Sequence, residues 1–197
     1  MDIAKLRLDI LDAFKGQYLL NDAAHREDHF EEVFQCAVVI NDKLNLGFDK
    51  KLMLFAAYFH DMFAWSRNNH HALGHCWMMS TDHPLISDNL NAEERESVAW
   101  AIGQHRATFS GRFKSTFCEL INSADLGFPG NVGSMIERAI RFRETHYRNL
   151  TPEESRTSSI THIKSKFGRG GYARYPEMYV KCFGDALEKQ YQEIEAL

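Results

Sequence analysis

At 197 residues, with 44% hydrophobic and 25% charged content, the chain is long enough for one well-buried domain and is neither disordered nor collagen-like in composition. A net charge of −4 gives no overall nucleic-acid signal, and no apolar run approaches the ~20 residues needed to span a bilayer, so no membrane partner is expected. Cys36, Cys76, Cys118 and Cys182 show no CxxC spacing and read as reduced core thiols, and the opening residues carry no secretory signal, so the expectation is a cytoplasmic protein.

Residues 3–20 place Ile3, Leu6, Ile10, Leu11, Phe14 and Tyr18 at three- and four-residue intervals, the stripe of an amphipathic helix, which Asn21-Asp22 breaks. A second helix is predicted from about Glu27 to Leu44, with Phe30, Val33, Phe34, Ala37, Val38 and Ile40 inward. Residues 45–49 form a turn, and Asp49 can cap the third helix. This third helix contains the run Leu52–Phe63, almost free of polar side chains apart from His60 and Asp61, and reads as buried, crossing the middle of the domain. A further helix is expected from about Asn69 to Ser80, in a region that Pro84 ends. Asn91-Ala92-Glu93-Glu94 is a capping box that opens a helix through His105. Phe117, Leu120, Ile121 and Ala124 mark the inner face of another helix, running into Asp125, with Gly127, Pro129, Gly130 and Gly133 punctuating the turn beyond. Helices are also predicted over about 134–149, after the cap Thr151-Pro152-Glu153-Glu154, and from near Pro176 to the end, with a loop at Gly168–Gly171. No stretch alternates with period two, so the fold class is all-α.

Most of the ten histidines lie between residues 25 and 105. An imidazole and a carboxylate at the end of an apolar helix are expensive to bury unless paired or bound to a metal. Helix neighbours point about 100° apart, so His60 and Asp61 can reach one ion only from a terminal turn, where the backbone adjusts. His25 and His29 are four apart and share a helix face, as in the zinc-protease pattern H-E-x-x-H. Arg26 follows the first histidine, however, so the general-base glutamate of that pattern is missing. His29 opens an apolar helix and is the stronger ligand; His25 is placed at the entrance or in support.

His29 on one helix, the pair His60-Asp61 ending the next, and Asp125 in Asn122-Ser123-Ala124-Asp125 on a later one resemble the HD-domain metal-dependent phosphohydrolases over about residues 22–130. The resemblance implies an HD-domain-like helical bundle with residues 1–130 as metal-binding core and 131–197 as a helical C-terminal extension packed on the same domain. It implies a metal held by His29, His60, Asp61 and Asp125, with Asp61, His105 and Arg106 in catalytic roles. Some members add two histidines for a second ion, for which His71 and His105 are the preferred matches here, Asp61 then bridging. Two imidazoles and two carboxylates suit a divalent transition metal (Mn, Fe, Co, Ni or Zn) or Mg. One ion is expected and a second is allowed. The activity expected is hydrolysis of a nucleotide or other small phosphate ester by a metal-activated water. A di-iron oxygenase of the same superfamily, and a non-catalytic module binding nucleic acid or a protein, are the alternatives.

Arg106, Arg112 and Lys114 either hold phosphate oxygens or form surface charge. Residues 138–174 carry nine Lys/Arg against three Asp/Glu, and the stretch from Lys164 to Arg174 mixes cations, glycines and aromatics. It lies beyond the family resemblance. Because the ligand carboxylates repel an anion, this loop is expected to fold over the metal and grip the substrate through Lys166 and Arg169; a solvated basic face or a nucleic-acid contact is the other reading. Trp65, Trp77 and Trp100 are expected in the core.

Overall fold

The computed structural model describes residues 2–22, 25–147 and 149–197. Among these residues the fold is all-helical: α1 (Ile3–Tyr18), α2 (Glu27–Lys43), α3 (Lys50–Phe59), α4 (His70–Ser80), α5 (Pro84–Ser87), α6 (Ala92–Gln104), α7 (Thr116–Asp125), α8 (Val132–His146), α9 (Pro152–Phe167) and α10 (Glu177–Glu195). Local chemistry starts most of them. Asp2 accepts from the amides of Ala4 and Lys5, Asp49 from Lys51, and Ser115 from Cys118. Asn91/Glu94 and Thr151/Glu154 close reciprocal capping boxes.

α3 is the axis of the molecule. Its residues from Met53 to Phe59 are all buried, so it has no solvent face and is enclosed by α1, α2, α6 and α7. α1 covers it with the stripe Leu6, Ile10, Phe14 and Tyr18, and Phe14 meets Phe59 edge to face at 4.9 Å. α4 lies along α6, brought close by Gly74, where a Cβ would come within 2.6 Å of Ile102 Cγ2. A second apolar cluster joins Leu126, Val132, Ile136, Ile163, Phe167, Tyr179, Leu187 and Ile194, pairing α8 with α9 and seating both on α10. α10 belongs to both clusters, because Met178 and Cys182 reach the first.

Several details differ from the expectation. Pro84 opens α5 at its first position instead of ending a region, with the His83 ring nitrogen accepting from the Leu85 amide. Trp65 and Cys76 are exposed, whereas Cys36, Cys118 and Cys182 are buried free thiols. Lys164 and Lys166 sit in the last turn of α9, not in a loop. The apolar run leaves the helix at Phe59: beyond His60, the amides of Met62, Ala64 and Ser66 bond three residues back, to Phe59, Asp61 and Phe63. Asn21 pins this tighter turn, its Nδ2 donating to the Asp61 carbonyl at 2.8 Å and its Oδ1 accepting from the Trp65 amide at 3.1 Å.

Candidate metal centre

The tight turn at the end of α3 brings two adjacent side chains to one place, and four other helix ends converge on it. His29 lies in the first turn of α2, His70 is the first residue of α4, His105 follows the last residue of α6, and Asp125 ends α7. The His29 and His60 Nε2 atoms stand 3.2 and 3.3 Å from Asp125 Oδ1, and 3.7 and 3.5 Å from Asp61 Oδ2. The other Asp61 oxygen, Oδ1, lies 3.4 Å from both His70 Nε2 and His105 Nε2, which are 3.1 Å apart. Asp61 therefore faces one set of donors with each oxygen. His29, His60 and Asp61, then His60, His105 and Asp125, then Asp61, His70 and His105 form groups whose ligand atoms lie within 4.8 Å of one another.

The donor chemistry fits a cation. Ligands about 2.0–2.2 Å from one ion stand roughly 3 Å or slightly more apart, the scale of the separations above. Three rings are also set in the ligating tautomer. His60, His70 and His105 have their Nδ1 atoms against the carbonyls of Ala57, Arg67 and Ile102 at 2.7, 2.9 and 2.6 Å. A carbonyl only accepts, so each Nδ1 carries the hydrogen and each Nε2 presents its lone pair to the centre. His29 differs. Arg138 Nη1, which only donates, stands 3.1 Å from its Nδ1, so the neutral ring carries its hydrogen on Nε2, toward Asp125. Offering Nε2 to a cation requires Arg138 to let go of this ring; Glu32, 3.3 Å from the same guanidinium, can keep it.

Protons can serve where a cation would, and the carboxylates pair with the rings around them. Burial disfavours charge on His60, but Asp61 and Asp125 outweigh it and raise the imidazole to about 10. Burial would also raise both carboxyls, yet His60 with His105 and His29 holds Asp61 and Asp125 well below the usual range. His29 and His70 are lowered to about 4, chiefly by burial, with cationic neighbours adding to it.

A cavity of about 430 Å³ opens over the centre, floored by Asp61, His70, His105 and Asp125 and walled by α8 and α9. Of the residues singled out from the sequence, His25, Arg106 and Lys166 line it. His25 Nδ1 is 2.8 Å from Asp22 Oδ1, and its Nε2 is 4.0 Å from Asp61 Oδ2. His71 is not in the cluster: α4 turns His70 inward in line with buried Gly74 and Met78, and a helix neighbour then points about 100° away. The close-approach residue Gly74, four positions after His70, is the sequence signal that identifies the inner face. Arg112 and Lys114 lie outside the cavity and are exposed, Lys114 standing 5.3 Å over the Trp100 ring. Arg169 is exposed too and faces α10, pairing with Glu188 and Glu195 at 2.5 and 3.2 Å. The basic stretch is thus divided, Lys166 and Tyr172 facing the cavity while Lys164 and Arg174 face solvent. The Arg174 amide ties it to the Ala107 carbonyl at 2.8 Å. The remaining cations of the cavity, Arg67, Arg138 and Arg143, carry no sequence signal near the ligand motif.

Among the described residues no helix is long and apolar enough to cross a membrane. Compared with protein-family models, curated proteins and solved structures, the chain matches none. Its geometry establishes an all-helical fold with a buried His/Asp cluster able to hold a metal.

Proposed function

We propose that the chain is an HD-type metal-dependent phosphohydrolase acting on a nucleotide or another small phosphate ester. The observation that carries this reading is the division of Asp61 between His29 and His60, which also face Asp125, on one oxygen and His70 and His105 on the other. Such a split would let one ion be held by His29, His60, Asp61 and Asp125 and a second by Asp61, His70 and His105. When bound, divalent ions there would polarise a phosphoryl oxygen and bring the pKa of a water toward about 7.

The chain's own residues supply the rest. Arg106, Arg138 and Lys166 border the centre and are placed to hold phosphoryl oxygens that the two carboxylates would otherwise repel. His25, its Nδ1–H donating to Asp22, keeps a lone pair on Nε2 beside Asp61, now accepting from Arg67 at 3.1 Å, and is suited to take a proton there. This cationic lining favours an anionic substrate such as a phosphate ester over an uncharged one, and the enclosed ligand set argues against a purely non-catalytic module.

The test is metal analysis of protein purified without chelator, with hydrolysis screens on nucleotides and simple phosphate esters in Mn²⁺, Co²⁺, Ni²⁺, Fe²⁺ and Mg²⁺. We expect bound metal and turnover in the wild type and loss of both in Asp61→Ala. A chain that binds no metal and cleaves no phosphate ester, or an Asp61→Ala variant unchanged in both respects, refutes the reading.

A further inference from the structure

The cavity holds more positive charge than one phosphoryl group needs. Arg67, Arg106, Arg138, Arg143 and Lys166 line it, and among the described residues its only carboxylates are the proposed ligands Asp61 and Asp125. Arg138 has Glu32 as partner; among the described residues, no ion pair engages Arg67, Arg106, Arg143 or Lys166. Arg67 lies over the Phe142 ring at 5.0 Å, and Lys166 Nζ over Phe167 at 4.6 Å, so both cations rest on aromatic faces. Like charges collected against low-dielectric walls repel one another, a cost that an anion spanning them relieves.

These cations are spread along the cavity. Lys166 lines it from the last turn of α9, together with Asp61, Asp125, Arg67 and Arg138. His162 is one turn back along α9 and has Lys166, Arg143 and Arg67 as charged neighbours. One turn further back, Ser158 accepts from Arg143 Nε at 2.9 Å, and its carbonyl accepts from Nη2 at 3.0 Å. Residues 158, 162 and 166 share a helix face, and eight residues rise about 12 Å. One tetrahedral phosphoryl group cannot touch both ends of that row. Arg143 uses Nη1 on the Ala139 carbonyl besides its two bonds to Ser158, which leaves two of five N–H donors for a ligand.

Resting on the hydrolase reading, we propose that the substrate is polyphosphorylated: the reacting phosphoryl group lies at the metal centre, and a second is held by Arg67, Arg143 and His162. The C-terminal helices would then select against monophosphates.

The experiment is calorimetric titration of the protein, purified without chelator and monitored for metal content, with inorganic phosphate, pyrophosphate and tripolyphosphate. Wild type should prefer tripolyphosphate to phosphate by about tenfold or more. Arg67→Gln should abolish most of that preference, lowering tripolyphosphate affinity several-fold more than phosphate affinity. His162→Ala, away from the proposed ligands, checks the same cluster without disturbing the Arg143–Ser158 contact. Equal affinity of the wild type for all three probes, or equal losses for phosphate and tripolyphosphate in both variants, overturns the proposal. Selective tripolyphosphate binding without turnover on any ester supports the two-anion pocket and removes the hydrolase reading, so the two failures are distinct.

Discussion

The discrimination between His70 and His71 is the sharpest consequence of the structure. His70 Nε2 stands 3.4 Å from Asp61 Oδ1 and 3.1 Å from His105 Nε2, with its Nδ1–H fixed on the Arg67 carbonyl. The adjacent His71 is partly buried, and its Nδ1 has no hydrogen-bond partner among the described residues. Structural zinc sites gain about 10–16 kcal/mol from roughly four ligands, so one imidazole contributes on the order of 3 kcal/mol. At 1.4 kcal/mol per decade that is a factor of about 100 in affinity. His70→Ala should therefore lower the affinity of the second ion about 100-fold and leave the ion held by His29, His60, Asp61 and Asp125 in place. His71→Ala, which removes no facing donor, should retain both. Metal stoichiometry by mass spectrometry, after equilibration with chelators of graded strength, reads the difference. Loss of the second ion in His71→Ala with retention in His70→Ala would refute the assignment.

The same geometry has three further testable outcomes. Unfolding of the metal-free protein should be pH-dependent on both sides of about pH 6.5: the raised His60 (about 10) contributes stability that is lost as pH rises from 6.5 toward 10, and the lowered His29 and His70 (about 4) lose stability as pH falls from 6.5 toward 4. Denaturant midpoints measured across that range should peak near neutrality, and a steady rise from pH 7 to 9 would contradict the pairing of His60 with Asp61 and Asp125. Asn21→Ala removes one of the two donors to the buried Asp61 carbonyl together with the acceptor of the Trp65 amide, costs about 1–3 kcal/mol in denaturant unfolding, and should weaken metal binding about 10-fold; unchanged values would remove Asn21 from any role in holding the turn. Gly74→Ala forces a Cβ against Ile102 Cγ2 and should cost about 1–3 kcal/mol through overpacking of α4 on α6, measured by thermal or denaturant unfolding, with a neutral result showing that the two helices can part.

Short-range decisions are legible in the amino-acid order alone. Asp49, Asn91-Glu94 and Thr151-Glu154 start their helices through bonds within three residues, so each is readable without knowing the fold. The buried character of α3 comes from a run with no polar side chain from Leu52 to Ala57, and the all-helical class from uninterrupted three- and four-residue periodicity. The ligand pattern of His29, His60, Asp61 and Asp125 was legible through resemblance, and these residues do stand together in space. Tertiary packing settled the rest. Whether His70 or His71 turns inward depends on a rotation of about 100°, fixed by how closely α4 approaches α6 through Gly74. Lys166 faces the cavity while Arg169, three residues later, meets the α10 acids, because α9 ends between them and the chain changes direction. Arg138 and Arg143 line the cavity because α8 packs beside it, the Arg138–His29 contact spanning 109 residues of chain, and Arg67 reaches His25 across 42. Local hydrogen bonds write themselves into neighbouring residues, but a pocket wall depends on which helix faces meet, and that is settled only when the apolar clusters close.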